Sequence, residues 1–231
     1  VYGYSTHGTD VLSIMAGDIP GVIIGTACDA NYILLRTEDD ETEYPVEEDY
    51  WAAAAEYADS AGADIITSSL GYYDFDDPDM DYSFSDADGN TAFITVAADM
   101  AASKGILVVS SAGNERDNEW KRISFPSDGD SVLCVGAVSA NGIITYFSSA
   151  GYSADGQVKP DVVAQGLKVP IQYLPGVWHY GDGTSSGWIN GEAMIRTVDW
   201  GKSSASTTVA RLSPPHVDCH SSSTIWRYSL S

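Results

Sequence analysis

Basic side chains are scarce in this chain: 11 Lys and Arg stand against 33 Asp and Glu in 231 residues, a formal net charge of -22. Phosphate backbones are bound through a concentrated cationic face, so the composition argues against nucleic acid as the partner. No apolar run reaches about 18 residues, which argues against a membrane span. The sequence opens at Val1 without a basic region leading into an apolar stretch, so it shows no signal peptide and reads as cut at its front end. Cysteine is rare as well. Cys28, Cys134 and Cys219 form no regular framework and lack zinc-ligand spacing, and the first two read as buried free thiols. What is present is ample apolar material: 44% hydrophobic and 11% aromatic residues build a core, so the acidity does not signal disorder.

The charge is unevenly spread. Residues 1–185 hold 7 basic and 30 acidic side chains, whereas residues 186–231 hold 4 and 3. That last stretch also contains ten serines and lacks clear apolar periodicity. It belongs to a different compositional regime.

Along the rest of the chain, strand-like runs alternate with helical patterns. Tyr32 to Leu35 reads as a strand, followed by an acidic loop and a helix through Trp51, Ala54, Ala55 and Ala58 that stops near Gly62. Ile65 to Ser69 is the next strand. A second helix places Ile94, Ala97, Ala98 and Ala101 on one face, with Lys104 in its last turn and Gly105 beyond. Ile106–Val109, Val132–Val138 and Ile143–Phe147 are further strands, the last two separated by an Asn141-Gly142 turn signal. Such alternation implies right-handed crossovers and a parallel sheet covered by helices on both faces.

Ligands of such sheets sit at the carboxyl ends of the strands. The residues there are Thr67 to Gly71 and Ser110 to Glu115, small and containing glycine, which suits a backbone lying against a ligand. Three local patterns carry chemistry. His7-Gly8-Thr9 precedes Val11, Leu12, Ile14 and Met15, placing an imidazole near a helix start whose dipole disfavours the charged form. Gly183-Thr184-Ser185 offers a hydroxyl behind a flexible glycine, and Asn114 an amide at a strand end. A base, a nucleophile and an amide donor are the parts needed for acyl transfer.

These motifs occur in a telling order. His7-Gly8-Thr9, Ser69-Leu70-Gly71, Ser111-Ala112-Gly113-Asn114, Phe147-Ser148-Ser149 with Lys159 to Ala164, and Gly183-Thr184-Ser185 together resemble the subtilisin-like serine peptidases. The stretches Tyr32 to Asp39 and Ala63 to Ile66 look closest to secreted bacterial subtilases of the Bacteroidetes type. The resemblance implies a three-layer α/β fold with a mostly parallel sheet. It also implies that His7 is the general base, Ser185 the nucleophile that forms an acyl-enzyme, and Asn114 the oxyanion donor. Ser69-Leu70-Gly71 and Ser111-Ala112-Gly113 are then expected to flank an extended polypeptide substrate. No cofactor is expected, and the setting implied is extracellular.

Two departures accompany the resemblance. The family orders its triad Asp, His, Ser, yet only six residues precede His7 and none is acidic. Asp10 is expected to face away on the helix rather than replace the missing carboxylate. After Ser185 the family has a small and apolar helix with a proline four positions on, where this sequence has Ile189. Residues 1–185 are therefore expected to be part of a peptidase domain, truncated at its N-terminus. Residues 186–231 are expected to be a frameshifted, non-native tail, with a natural Ser-rich extension as the alternative. The chain as given is expected to be an impaired serine endopeptidase; the competing reading is an inactive, peptide-binding module of the same fold. The Asp-rich loop, with seven Asp between Asp74 and Asp88, offers oxygen ligands for calcium, but Asp86 to Asn90 lacks the later bidentate Glu of a calcium loop and reads rather as solvated surface. No metal ligand is assigned.

Overall fold

The structure, a computed structural model, describes residues 7–39, 41–174, 177–181 and 206–211. Its elements in chain order are α1 (His7–Ala16), β1 (Asp18–Ile19), β2 (Ile23–Ile24), β3 (Asn31–Arg36), α2 (Val46–Ser60), β4 (Ile65–Ser68) and α3 (Phe93–Ser103). There follow β5 (Leu107–Ser111), β6 (Val132–Val138), β7 (Val162–Gln165), β8 (Val169–Leu174), β9 (Val177–Gly181) and β10 (Ser206–Arg211).

Helix α2 forms where Glu47, Glu48 and Asp49 favour the positive end of the dipole and where Trp51, Ala55 and Ala58 fall on one buried face. It ends before Gly62, whose φ of 75° a side chain would resist. Helix α3 ends in the same way, with Lys104 as its cap and Gly105 at φ 97°.

The six-stranded sheet has the order β3-β10-β4-β5-β6-β7. Neighbours from β4 to β7 run parallel, while β10 lies antiparallel to both β3 and β4. The period of two along each strand sorts the core into layers. Ile33, Leu35, Ile66, Val108 and Val132 face Trp51, Ala55, Ala58, Ile94, Ala98 and Ala101 of α2 and α3. Ile65, Val109 and Val135 form the opposite face. Tyr32 joins that face to a cluster of Val11, Ile14 and Met15 from α1 with Val169 and Ile171 from β8. Helices thus cover both sides of the sheet, as the alternating pattern implies, and β4 is buried along its whole length.

Three local expectations are corrected. Residues 143–147 form no strand: a single bridge joins Ile144 to Val138. The reason lies in the hydroxyls that follow, because Thr145 N–H and Oγ1 both donate to Ala137 O and Ala137 N–H donates to Ser148 Oγ, ending the ladder after one rung. Ser110 and Ser111 lie inside β5 rather than past it, so the parallel pairing with β4 and β6 reaches further than the apolar run. Cys134 is a buried free thiol, but Cys28 is disulfide-bonded and only half buried, so its sulfur is not the inert core thiol its spacing suggested.

Candidate functional site

The parallel ladder between β4 and β5 ends at the Ser68 and Ser110 register. Beyond it the chain continues as two segments, Ser69-Leu70-Gly71 on one side and Ala112-Gly113-Asn114 on the other. Leu70 and Ala112 are fully buried and anchor the two segments in the core. A cross-brace ties them together. Ser124 N–H donates to Ala112 O at 3.2 Å, and the next residue, Phe125, exchanges two backbone hydrogen bonds with Tyr72 at 3.0 and 3.1 Å.

His7 opens α1 against the first segment. Its Nε2 lies 3.1 Å from Ser69 O. A carbonyl only accepts, so this contact places the proton on Nε2 and the basic lone pair on Nδ1. Burial is the main influence on the ring and lowers its pKa to about 4, against a smaller opposing effect of the Ser69 contact. The imidazole is therefore neutral at neutral pH, as expected from sequence, though desolvation rather than the helix dipole is the leading cause.

Asn114 has a different character. It is only 9% exposed, and neither its Oδ1 nor its Nδ2 has a hydrogen-bond partner among the described residues. A buried amide left unsatisfied costs about 1–3 kcal/mol, and such groups are few in native structures. The backbone around it is held firmly. Ser149 N–H donates to Gly113 O at 3.0 Å, Glu115 N–H to Ser149 Oγ at 2.9 Å, and Arg116 Nε to Ser148 O at 2.7 Å. The Phe147-Ser148-Ser149 motif is thus a buttress behind the second segment. Gly113 is required there: its φ is 98°, and a Cβ would stand 2.8 Å from Ser124 Oγ and 2.9 Å from Ser149 Oγ. Gly113→Ala is expected to destabilise the fold by about 1–3 kcal/mol through strain and crowding, read as a lowered melting temperature.

The Lys159-Pro160-Asp161 motif serves structure in the same way. Lys159 Nζ donates to Gly129 O, Val132 O and Asp161 Oδ2, and Asp161 Oδ2 also accepts Cys134 N–H. These bonds lock β7 against β6.

Ser185, with Gly183 and Thr184, lies outside the described residues, as do Ile189 and all of the tail except β10. The structure brings His7 together with Ser69 and, through the brace, sets the Ser69 and Ser111 segments side by side. It also reveals two braces the sequence did not flag, Tyr72 and Phe125, and gives structural parts to Ser149 and to Glu115, whose carboxylate accepts from Tyr73 Oη at 3.0 Å and from Asn118 Nδ2. Tyr72 directly follows Gly71, and that adjacency was the available signal.

In the Asp-rich loop the carboxylates cap local turns. Asp77 accepts from Asp79 N–H, Asp81 from Phe75 N–H, Asp86 from Ser83, and Asp88 from Asn90 and Thr91. A closer grouping lies elsewhere: one oxygen from each of Glu38, Glu43 and Glu47 falls within 4.8 Å of the others. Three acids at this spacing do not by themselves make a metal site. No helix among the described residues is long and apolar enough to cross a membrane.

Comparison with known proteins gives a consistent answer. The model of the subtilase family matches residues 1–213. Subtilisin DY of Bacillus licheniformis is 32% identical over 161 residues, covering 68% of this chain and 51% of that protein. The major intracellular serine protease of Bacillus subtilis (strain 168) is 30% identical over 158 residues, covering 66% of this chain and 44% of that one. Among solved structures, the self-cleaved protease domain of PatA matches with a TM-score of 0.60 and 27% identity, covering 78% of this chain and 61% of that domain. This chain spans about half the length of the curated relatives it matches.

Proposed function

The chain belongs to the subtilase family, and from that premise we propose that the protein is a serine endopeptidase. Ser185 attacks the scissile carbonyl and carries the acyl group, His7 moves the proton, and Asn114 donates its amide to the oxyanion. The substrate is a polypeptide held in extended form along Ser69-Leu70-Gly71 and Ser111-Ala112-Gly113 by main-chain hydrogen bonds. The observation that carries this reading is Asn114: a buried amide, unpartnered among the described residues, on a braced turn at the carboxyl end of β5.

His7 needs one adjustment for this role. A base that takes the Ser185 proton through Nε2 must carry its own proton on Nδ1, the reverse of the arrangement that the Ser69 contact imposes. An acceptor at Nδ1 holds that tautomer in a triad.

An extracellular setting fits the excess of acid and the disulfide at Cys28, since such bonds persist in oxidising compartments. The relatives alone do not decide it, because one of them is named as intracellular. Treating the purified chain with a fluorophosphonate probe and mapping the adduct by mass spectrometry tests the catalytic assignment. A single adduct on Ser185 is expected, absent in Ser185→Ala. Binding of an extended peptide without any adduct at Ser185 would instead establish the peptide-binding module and overturn the enzyme.

A further inference from the structure

The two substrate segments leave the sheet as neighbours, and a peptide lying between them requires their separation to be fixed. A strand paired on both edges needs flanking strands about 10 Å apart, twice the usual inter-strand spacing. Tyr72 stands where that separation is set. It follows Gly71 of the first segment, is 1% exposed, and pairs through its backbone with Phe125, whose neighbour Ser124 bonds Ala112 of the second.

The far end of the Tyr72 side chain is also tied. Its hydroxyl donates to Glu38 Oε1 at 2.5 Å, an oxygen that accepts from Thr37 Oγ1 as well. Glu38 lies just past β3, in a loop that is fastened to α2: Asp39 N–H donates to Glu47 Oε1 at 2.6 Å and Tyr44 N–H to Glu47 Oε2 at 3.3 Å. Arg36 Nε donates to Glu38 O at 2.9 Å, closing the loop back on its own strand. A continuous set of hydrogen bonds therefore runs from α2 through Glu47 and the loop to Glu38, Tyr72, Phe125, Ser124 and the second substrate segment. The ring of Tyr72 gains further support from Phe75, stacked at a centroid distance of 6.2 Å.

We propose that the Tyr72 and Glu38 pair is a positioning device that sets the width of the peptide cleft, acting on substrate affinity through the Ser69-Leu70-Gly71 segment. The inference rests on the reading of that segment as a peptide-binding wall. Neither residue touches the reacting atoms. The geometric logic is that Tyr72 without its hydroxyl bond keeps its ring in the core but loses the tether that fixes its backbone. A long peptide contacts the whole wall and feels the change, whereas a short one does not.

The test is equilibrium binding of dye-labelled peptides to the full chain, followed by fluorescence anisotropy, with a six-residue and a three-residue peptide. Tyr72→Phe is expected to weaken the six-residue peptide about tenfold and to leave the three-residue peptide within about twofold, as losing a hydrogen bond to a charged or buried acceptor implies. Glu38→Met should do the same, because it removes the acceptor, and the double variant should be no worse than either single one. Glu38→Gln keeps an acceptor oxygen and should restore the affinity to within about twofold. Unchanged binding of the long peptide in Tyr72→Phe and Glu38→Met would overturn the proposal, as would equal losses for both peptides, which mark a general structural role. Should Tyr72→Phe fail to fold, Glu38→Met and its Gln counterpart read the same bond from the other side. If the unaltered chain binds neither peptide at any concentration, the peptide-wall reading itself fails. Binding by the unaltered chain with no effect of the variants sinks only the tether.

Discussion

Replacing His7 with alanine is expected to slow the reaction of Ser185 with a fluorophosphonate by about 10²–10⁴-fold, the usual worth of a positioned general base. The expectation combines three features of the ring. It is neutral because burial lowers its pKa to about 4, it is held against the Ser69-Leu70-Gly71 segment by Ser69 O, and it lies at the start of a helix packed into the core through Val11, Ile14 and Met15. The pH dependence follows with a definite sign. Only the unprotonated imidazole accepts a proton, so the rate should be flat above about pH 5 and fall as pH drops through about 4. A rate that rises through pH 6 to 7 would mean that the operative ring is not buried as described. Partial rescue of His7→Ala by added imidazole separates loss of the base from loss of structure.

The same ring bears on stability. Its folded pKa of about 4 is below the ordinary 6.5, so its contribution is fully present above 6.5 and is lost as pH falls through 4. That difference is worth on the order of 3 kcal/mol.

The elements that were legible in the sequence are those whose signal is local. Trp51, Ala55 and Ala58 at helical spacing, with acids in front and Gly62 behind, mark α2. Ile65-Ile66 and Val108-Val109 mark strands buried on both faces, and the small residues after them mark where the parallel ladder ends. His7 and Asn114 became candidates because a motif order singled them out; the buried state of each was not visible from spacing. What stayed hidden depends on contacts between distant residues. Glu38 and Tyr72 are 34 positions apart, and Ser149 meets Glu115 across the same interval. Nothing in either neighbourhood marks the partner. The misread strand at 143–147 shows the opposite failure: Ile143, Ile144 and Tyr146 have the residue types of a strand, but all three are exposed and the Thr145 and Ser148 hydroxyls end the pairing. The β3 to α2 connection reads in sequence simply as an acidic loop, yet Glu38 within it and Glu47 at the start of α2 are buried.

Those buried acids lead to the second large effect, a loss of stability as the medium turns alkaline. Burial raises Glu38 to about 8, with the neighbouring Glu47 adding to the shift while Tyr72, Thr37 and Arg36 oppose it. Glu43 also rises to about 8 through burial and the charges of Glu47, Glu38, Asp74 and Asp76, and Glu47 moves upward for the same leading reason. Elsewhere Glu48 rises to about 7 and Asp128 to about 6, each chiefly through desolvation. A carboxyl whose folded pKa lies above its unfolded value holds a proton that the unfolded chain has released, so stability is fully present below about 4.5 and declines as pH rises to about 8. Glu38, 8% exposed, contributes on the order of 4 kcal/mol of that decline. The opposite effect of His7 comes from a single group and is outweighed by the several carboxyls above about pH 4.5, so the unfolding free energy should peak near pH 4–4.5 and fall by several kcal/mol by pH 9, measured by urea unfolding at fixed ionic strength. Glu38→Gln should flatten the alkaline limb, because the amide keeps the acceptor for Tyr72 and removes the charge that Glu43 and Glu47 feel. An alkaline limb of unchanged slope in Glu38→Gln would show that Glu38 is already ionised at neutral pH, and that this loop tolerates its charges by a route other than holding a proton.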